Sequence, residues 1–356
     1  MNKVLHVYNG VYKRGQGIFS VLDWSFRFVT NFEVYLYCRE FEGKDLPYKI
    51  YTKDTIQFDA LLRIERFDFV VFHGVFFIEY SKMSSVCRSN RIKYFIKPHG
   101  SLVRKSWSKS PFKKSLFYIF YLHRFLRYSH SILFINNEEA AKSFHNKKFI
   151  LDFNYIGYNR NYNFRKSKDD KMVRFFFYSR FDFQHKGLDI LLDALKALNA
   201  NKYPNFEFNF YGSGSVDSVR RLKKELKLIN SSFITYKGHI ENEDDLQQMF
   251  LDNDILVLTS RYEGFPTVIS EAMFFGIPPL VTKETNSEFI LDEGIGWQVT
   301  LDSKDVVQKI EDILTIYPAH SKYIISRCQN FAHKNILIDS KLVNNQYEKL
   351  LVSLEN

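Results

Sequence analysis

Short apolar segments alternate with helical patterns along nearly the whole chain. One series runs from Val4–Tyr8 to Ile132–Asn136, and a second begins at Val173–Tyr178. This alternation is typical of parallel β-sheets covered by helices, so the sequence predicts an α/β fold. At 356 residues the chain exceeds the size at which one hydrophobic core usually stops growing. We therefore expect two domains.

A polar stretch at residues 159–171 separates the two series and contains few apolar side chains. We interpret it as a linker. This predicts a first domain over residues 1–158, a second over residues 172–335, and a C-terminal segment over residues 336–356. Leucine spacing in that last segment predicts a helix at 339–354.

The most informative local pattern lies at residues 254–279. A buried strand, Asp254–Thr259, leads into a polar turn, and Pro266 suits the first turn of a helix because its missing N–H costs nothing there. Residues Thr267–Phe275 continue that helix. The N–H groups at a helix N-terminus lack partners and lie at the positive end of the helix dipole, so this pattern predicts a phosphate site.

Two glutamates flank the start of this helix, Glu263 in the turn and Glu271 inside the helix. Their spacing, within EGFPTVISEA and a following Gly-x-Pro, resembles the E-x7-E motif of the retaining glycosyltransferases of the GT4 family. In that family the first glutamate contacts hydroxyls of the donor sugar and the second hydrogen-bonds the nucleotide ribose. The resemblance implies a catalytic role for Glu263 and donor binding by Glu271 and by the segment between them, Gly264, Phe265, Pro266, Thr267 and Val268. The backbone N–H groups near Phe265 to Val268 would hold the phosphates.

The resemblance extends to other predicted strand ends. Arg180 and Lys186 match the cations that clamp the donor diphosphate in the family, and cations facing a helix N-terminus suit a diphosphate leaving group. His99, in Pro-His-Gly, matches a histidine that reaches the donor sugar and is a second catalytic candidate. Weaker matches imply that His73 lies on the acceptor side, that Glu138 is a helix-capping acid, and that four further residues bind the donor: Gly15, Gly17, Gly212 and Ile240.

The family has the GT-B fold, in which two Rossmann-like parallel-sheet domains face each other across a cleft. The resemblance implies that the first domain binds the acceptor, that the second binds the nucleotide-sugar, and that the terminal helix packs back on the first domain. The implied reaction requires no metal and no other cofactor. UDP is the expected nucleotide, from its frequency in the family. The expected acceptor is a saccharide or an undecaprenyl-linked saccharide in bacterial surface polysaccharide synthesis, such as O-antigen, capsule or exopolysaccharide.

The net charge of +10 is unevenly spread. Between Ser101 and His130 there are seven Lys or Arg residues, no Asp or Glu, and many aromatic side chains. Such a basic aromatic helix is typical of proteins that bind an anionic membrane surface, but a core helix with a solvated basic face has the same composition. Both interpretations stay open. Nucleic acid is not an expected partner, because no nucleic-acid-binding motif accompanies the charge.

Other features bear on the compartment. Three widely separated cysteines indicate a reducing environment: Cys38, Cys87 and Cys328. The first ten residues predict a strand and a turn rather than a signal peptide, and no apolar run approaches the roughly 18 residues of a membrane span. We expect a cytoplasmic protein, peripheral on the inner face of the cell membrane.

Alternative functions also stay open. A glycosidase pair is disfavoured, because a helix of eight residues spans about 12 Å, whereas glycosidase carboxyls lie roughly 5–10 Å apart. The letters Asp252-Asn-Asp254 match a metal-binding motif, but a position between a helix and a strand favours capping. A nucleotide-dependent oxidoreductase is disfavoured because Asp217 stands where the dinucleotide fingerprint has its third glycine. A non-catalytic membrane-associated protein of the same fold is the remaining alternative.

Overall fold

The computed structural model describes residues 1–13, 17–43, 46–107, 111–145, 148–152, 172–198, 202–229, 231–240, 242–337 and 339–355. The chain divides into two compact units. The first comprises Met1–Tyr158 and Ile338–Asn356, and the second comprises Asn159–Leu337. The expected linker at 159–171 and the candidate Gly15 lie outside the described residues.

The first unit is built around a parallel sheet. Among its described residues, seven strands pair in the order β3-β2-β1-β4-β5-β6-β7. The elements in chain order are β1 Asn2–Lys13, α1 Gly17–Phe28, β2 Phe32–Glu42, β3 Lys49–Thr52, α2 Phe58–Glu65, β4 Phe69–His73, α3 Glu79–Ser89, β5 Lys93–Lys97, α4 Pro111–Phe117, α5 His123–Arg127, β6 Ser131–Phe134, α6 Asn137–Lys142 and β7 Phe149–Leu151.

The second unit repeats this plan with six described strands in the order β10-β9-β8-β11-β12-β13. Its elements are β8 Val173–Tyr178, α7 Leu188–Ala197, β9 Phe206–Tyr211, α8 Val216–Ile229, β10 Ile234–Gly238, α9 Glu243–Asp252, β11 Ile255–Leu258, α10 Thr267–Phe274, β12 Pro279–Thr282, α11 Phe289–Asp292, β13 Trp297–Val299 and α12 Ser303–Asn335. The last helix of the chain, α13 Ser340–Ser353, belongs to the first unit.

Both faces of the first sheet are buried. Leu5 and Val70 belong to the core on one face, whereas Val4 and Val71 belong to the core on the other. This alternation follows from the period of two in a strand, and it explains why these strands are apolar throughout. Tyr347 of α13 packs into the second of these cores, so α13 covers part of that face.

The order of the strands indicates where each sheet is expected to bind a ligand. In the first sheet the order reverses between β1 and β4, and in the second between β8 and β11. All described strand pairs are parallel, so the carboxyl ends of neighbouring strands lie at one edge of each sheet. In open α/β sheets ligands bind at the carboxyl edge beside such a reversal.

The basic aromatic segment is not one regular helix. It contains a 3₁₀ turn at Arg104–Trp107, then α4, a π-helical turn at Tyr118–Leu122, and α5. Buried Leu122, Phe125 and Leu126 hold its inner face in the core. The π turn shifts the register of the helix. A simple helical period in the sequence did not reveal that shift.

Candidate active site

Three side chains converge on a carboxylate beyond the end of β11. The ammonium of Lys186 forms a close ion pair with the carboxylate of Glu263, and Ser260 Oγ donates to Glu263 Oε1 at 2.8 Å. His185 Nε2 lies 3.7 Å from Glu263 Oε2 and donates to the carbonyl of Tyr262 at 2.8 Å. Burial raises the pKa of Glu263, but the adjacent Lys186 charge and the hydrogen bonds outweigh it and hold that pKa below its ordinary value. Glu263 is therefore an ionised carboxylate in a fixed position.

The segment that carries Lys186 is fastened to the end of β11. The Arg261 guanidinium binds Asp189 through two contacts of 2.8 and 2.6 Å. Thr259 Oγ1 donates to the carbonyl of Gly187 at 2.9 Å. Gly187 has φ of +61°, and a Cβ there would lie 1.9 Å from the Thr259 carbonyl oxygen. The pattern Lys-Gly-x-Asp therefore has a structural reason at each of its three defined positions.

The turn after Glu263 is also held by side-chain contacts. Asn286 Nδ2 donates to the carbonyls of Glu263 and Gly264, at 2.8 and 2.9 Å. Helix α10 starts at Thr267, so Pro266 is its N-cap rather than a residue of the first turn as we predicted. A proline side chain accepts no hydrogen bond. The cap therefore leaves the first N–H groups of α10 to another acceptor, as a phosphate site requires.

The remaining donor-site candidates of the second unit follow the neighbouring strands. Arg180 follows β8, and its side chain is 66% exposed and lies 3.6 Å from Asp182. Gly212 follows β9 with φ of +130°, and a Cβ there would lie 2.1 Å from the carbonyl oxygen of Ser179. Ile240 is half-buried after β10, and Glu271 is buried within α10.

A chain of histidines runs across the carboxyl edge of the first sheet. His6 Nδ1 lies 2.8 Å from His73 Nε2, and His73 Nδ1 lies 2.9 Å from His99 Nε2. Burial, reinforced by the charge of Lys97, lowers the pKa of His6 and of His99 to about 3, and burial lowers the pKa of His73 as well. All three rings are neutral at pH 7. Both ring nitrogens of His73 are engaged inside the unit, so His99 is the member of this chain with a nitrogen left for a ligand.

Sequence reasoning missed an acid that supports His99. Glu139 is fully buried, and its two carboxylate oxygens accept from the N–H groups of Gly100, at 2.6 Å, and Ile135, at 2.9 Å. We had predicted Glu138 as the capping acid, but the side chain of Asn136 caps α6. The spacing Asn136-x-x-Glu139 is that of a capping box, which was the available signal.

The sequence also offered a metal motif. Across the described ranges, no group of three or more His, Cys, Asp or Glu side chains could hold a metal ion. Asp254 accepts from the N–H of Arg174 at 2.7 Å, and Asp252 accepts from Gln248 at 2.9 Å. Neither contact is a helix cap, and the C-cap residue of α9 is Asn253, which lies between the two aspartates.

An apolar stripe lies on the outer face of α4 and the π turn. Phe112, Leu116, Ile119 and Phe120 are exposed, and Phe112 and Phe120 keep 75% and 66% of their surface. Phe112 and Leu116 are about one helical turn apart in α4, and Ile119 and Phe120 lie in the π turn that follows. In the part of the chain that the structure describes, no helix is long and apolar enough to cross a bilayer.

Residues 159–328 match the family of glycosyl transferases group 1. This range covers nearly the whole second unit and includes Arg180, Lys186, Glu263 and Glu271. The second unit belongs to the group 1 glycosyltransferases. The GT4-type family predicted from Glu263, Glu271 and their surroundings is confirmed.

Sequence relatives are matched over shorter ranges. The chain is 30% identical over 173 residues to an uncharacterized 41.2 kDa protein in the cps region of Klebsiella pneumoniae, covering 48% of this chain and 44% of that protein. It is 34% identical over 97 residues to an uncharacterized glycosyltransferase of Haemophilus influenzae, covering 27% and 26%. A mannosylfructose-phosphate synthase of Agrobacterium fabrum is 30% identical over 105 residues, covering 28% and 23%. The chain thus spans less than half the length of the curated relatives it matches.

Solved glycosyltransferase structures resemble the chain over nearly its full length. Anabaena HepE in complex with UDP and glucose has a TM-score of 0.74 at 16% identity, covering 99% of this chain and 100% of HepE. Sucrose-phosphate synthase from Thermosynechococcus elongatus has a TM-score of 0.72 at 15% identity, covering 100% and 99%. WaaG, a glycosyltransferase involved in lipopolysaccharide biosynthesis, has a TM-score of 0.71 at 13% identity and covers 98% of each chain. The predicted α/β GT-B fold is confirmed.

Proposed function

We propose that this protein is a retaining glycosyltransferase that moves a sugar from a nucleotide-sugar to a saccharide or lipid-linked saccharide. The observation that carries the proposal is the Lys186–Glu263 pair, whose glutamate lies between the end of β11 and the start of α10, with Arg180 following the neighbouring strand β8. Cations and helix N–H groups suit a diphosphate, and a fixed ionised carboxylate suits the hydroxyls of a sugar. The family membership of the second unit supports the same activity.

In the proposed reaction the bond between the sugar and the diphosphate breaks, and the diphosphate leaves. Arg180, Lys186 and the N–H groups at Thr267 and Val268 stabilise the charge that develops on it. Glu263 accepts hydrogen bonds from the sugar hydroxyls. An acceptor hydroxyl attacks on the face from which the diphosphate departs, and a phosphate oxygen takes its proton. The configuration of the anomeric carbon is then retained without an attacking enzyme carboxylate.

Further assignments complete the proposed site. Glu271 binds the nucleotide ribose, Gly212 and Ile240 lie near the nucleotide, Gly17 approaches the donor phosphates, and His99 orients the sugar. We assign His73 to the support of His99 rather than to direct contact with an acceptor, because both of its nitrogens are engaged.

We propose UDP as the nucleotide and a surface polysaccharide as the destination of the sugar. The first assignment is supported by HepE, whose structure contains UDP and glucose. The second is supported by the Klebsiella relative in the cps region and by the role of WaaG in lipopolysaccharide biosynthesis.

Donor turnover tests the activity. The protein would be incubated with UDP-hexoses and UDP-N-acetylhexosamines, UDP release would be measured, and the anomeric configuration of the product would be read by proton NMR. We expect release with one donor and retention. Because Glu263→Gln keeps the shape but loses the charge, we expect at least about a hundredfold loss of rate. The exposed Glu293→Gln is the control. No release with any donor, or an inverted product, would contradict the proposal.

We further propose that the first unit binds the anionic inner face of the cell membrane through α4 and the π turn. An exposed stripe of phenylalanine, leucine and isoleucine beside several lysines and arginines, with no acidic residue from 101 to 130, has the composition of an interfacial helix. The apolar side chains enter the headgroup region while the basic ones contact lipid phosphates.

Vesicle sedimentation distinguishes a membrane-binding surface from a basic helix face that is only solvated. We expect binding to vesicles rich in phosphatidylglycerol, weaker binding to phosphatidylcholine, and loss of binding when Phe112 and Phe120 are changed to serine. The matched control changes two exposed apolar residues of α8, Val216 and Leu228, which keep 74% and 66% of their surface. Equal effects of the two double variants would overturn the membrane assignment.

A further inference from the structure

The histidine chain of the first unit continues to the C-terminal helix. The hydroxyl of Tyr347, in α13, lies 2.9 Å from His6 Nε2. Four groups are therefore connected in series, from Tyr347 through His6 and His73 to His99. His6 is in β1, His73 ends β4, and His99 follows β5, so the series crosses three adjacent strands.

A series of neutral rings can be ordered in only two directions, because each imidazole has one N–H donor and one bare acceptor. In the outward direction Tyr347 donates to His6, His6 to His73, and His73 to His99. His99 then carries its proton on Nδ1. In the inward direction every bond is reversed, His99 carries its proton on Nε2, and the hydroxyl hydrogen of Tyr347 requires another acceptor.

The surroundings of Tyr347 decide between the two directions. The tyrosine is buried, and in the described part of the chain its hydroxyl has one hydrogen-bond partner, His6. Burial and the charge of the nearby Asp152 carboxylate both raise the pKa of Tyr347, and that carboxylate is bonded to Lys97 at 2.7 Å. In the inward direction the hydroxyl hydrogen would be buried without an acceptor, which is unfavourable because a buried donor without a partner loses its hydration. The outward direction satisfies every group in the series and leaves one donor at its end, the Nδ1–H of His99.

The end of the series is held in place by contacts on both sides. His99 has φ of +50°, which is unusual for a residue other than glycine, and Glu139 binds the next N–H at 2.6 Å. Nδ1 of His99 makes no hydrogen bond within the described part of the chain. Lys97, whose charge disfavours protonation of the histidines, is itself paired with Asp152 at 2.7 Å.

We propose that Tyr347 is a positioning residue, which acts through His6 and His73 to hold His99 as the neutral Nδ1–H tautomer, so that His99 donates a hydrogen bond to an oxygen of the bound substrate. The C-terminal helix thus contributes to the site through the core of the sheet rather than by contact with the ligand. Only the identity of that substrate, the nucleotide-sugar, rests on the proposed function.

Nitrogen-15 NMR of histidine-labelled, ligand-free protein tests the tautomer. The signal of His99 is identified by its loss in His99→Ala, a change at a half-buried position. We expect His99 to be protonated at Nδ1 in the unchanged protein, and to become a mixture of tautomers in Tyr347→Phe, which removes the directing hydroxyl. The matched control is Tyr94→Phe, which removes another buried hydroxyl bond, to the Phe125 carbonyl at 2.7 Å, and should not change the tautomer.

The outcomes are distinct. Protonation of His99 at Nε2 in the unchanged protein overturns the proposal without any variant, so failure of Tyr347→Phe to fold cannot protect it. An unchanged tautomer in Tyr347→Phe also overturns it and leaves Tyr347 a structural residue. The NMR result does not depend on turnover, so a protein that uses no nucleotide-sugar would refute the proposed function alone.

Kinetics provide a second readout. Tyr347→Phe should lower kcat/KM for the donor roughly five- to tenfold, the value of one neutral hydrogen bond. In a His99→Ala background the same change should have no further effect, because Tyr347 acts through His99. Additive losses in the double variant would contradict this route.

Discussion

The carboxyl edges of the two sheets share a topology and differ in their electrostatics. The edge of the second sheet contains ion pairs, Lys186 with Glu263 and Arg261 with Asp189. The edge of the first sheet contains neutral imidazoles joined in series. Under the proposed function this division is useful, because a leaving diphosphate requires fixed cations, whereas an uncharged sugar requires oriented hydrogen-bond donors.

The largest effect should come from unpairing the buried charge of the second edge. Lys186→Met leaves the Glu263 carboxylate buried without its cation, so we expect a loss of about 3–5 kcal/mol in the free energy of unfolding and at least a hundredfold loss of turnover. Urea unfolding measures the first. The double variant with Glu263→Gln should regain stability but not activity. If Lys186→Met alone lowers the free energy of unfolding by less than about 1 kcal/mol, the claim that Lys186 and Glu263 form a buried ion pair is wrong.

Acid should weaken the first unit before the second. The pKa of His6, His73 and His99 is lowered in the folded state, so below about pH 6.5 the unfolded chain binds more protons. Stability is therefore full above that pH and falls below it, by up to about 1.4 kcal/mol per pH unit for each ring. In the second unit His185 has a lowered pKa, and Glu263 loses its contribution only below about pH 4.3.

Amide hydrogen exchange in the two units between pH 7 and pH 5 measures this difference, after correction for the intrinsic effect of pH on exchange. We expect a steeper loss of protection in the strands β1, β4 and β5 than in β8 and β11. Equal slopes would mean that the histidine series is not neutral.

A smaller effect should follow from adding a side chain at Gly187, where the backbone lies close to the carbonyl of Thr259. Gly187→Ala combines a positive φ with a collision against the Thr259 carbonyl, so we expect a loss of roughly 1–3 kcal/mol or more in thermal unfolding, together with reduced donor binding. Gly238→Ala is the matched control: φ there is +100°, and an added Cβ meets nothing within 4 Å. Similar losses in both variants would show that backbone conformation alone matters at Gly187.

The smallest effect on stability should come from Arg180. Its exposed side chain lies 3.6 Å from Asp182, so Arg180→Ala should change the free energy of unfolding by less than about 0.5 kcal/mol. We nevertheless expect a loss of tenfold or more in kcat/KM, because the cation acts on the diphosphate. A stability loss without a kinetic one would reverse this assignment.

Local patterns predicted the fold well. The strand β8 has the bounds expected from its apolar run, Val173–Tyr178, and α10 differs from its predicted end by one residue. Short edge strands such as β3 and β7 were not predicted, because three or four half-exposed residues give no clear periodicity. The 33-residue α12 was also missed, and it contains Pro318, which normally signals the end of a helix.

The site was predicted where function lies in a short motif and missed where it depends on distant contacts. The segment of Glu263 and Glu271 carries its own signal. Nothing near His6 or Tyr347 in the sequence indicates that these two residues, 341 positions apart, are hydrogen-bonded to each other. Nor does the sequence show that His6 belongs to a series of three histidines. Such long-range contacts can be recognised only when the order of the strands in the sheet is known.

The central claim is a nucleotide-sugar site at the carboxyl edge of the second sheet. Thermal unfolding of the protein with UDP, GDP, ADP and CMP tests it most directly. A nucleotide at 100 times its dissociation constant should add about 2.7 kcal/mol to the free energy of unfolding. We predict such a shift with UDP, reduced by Glu271→Ala and unchanged by His99→Ala. No shift with any of the four nucleotides, or a UDP shift that survives in Glu271→Ala, would contradict the account.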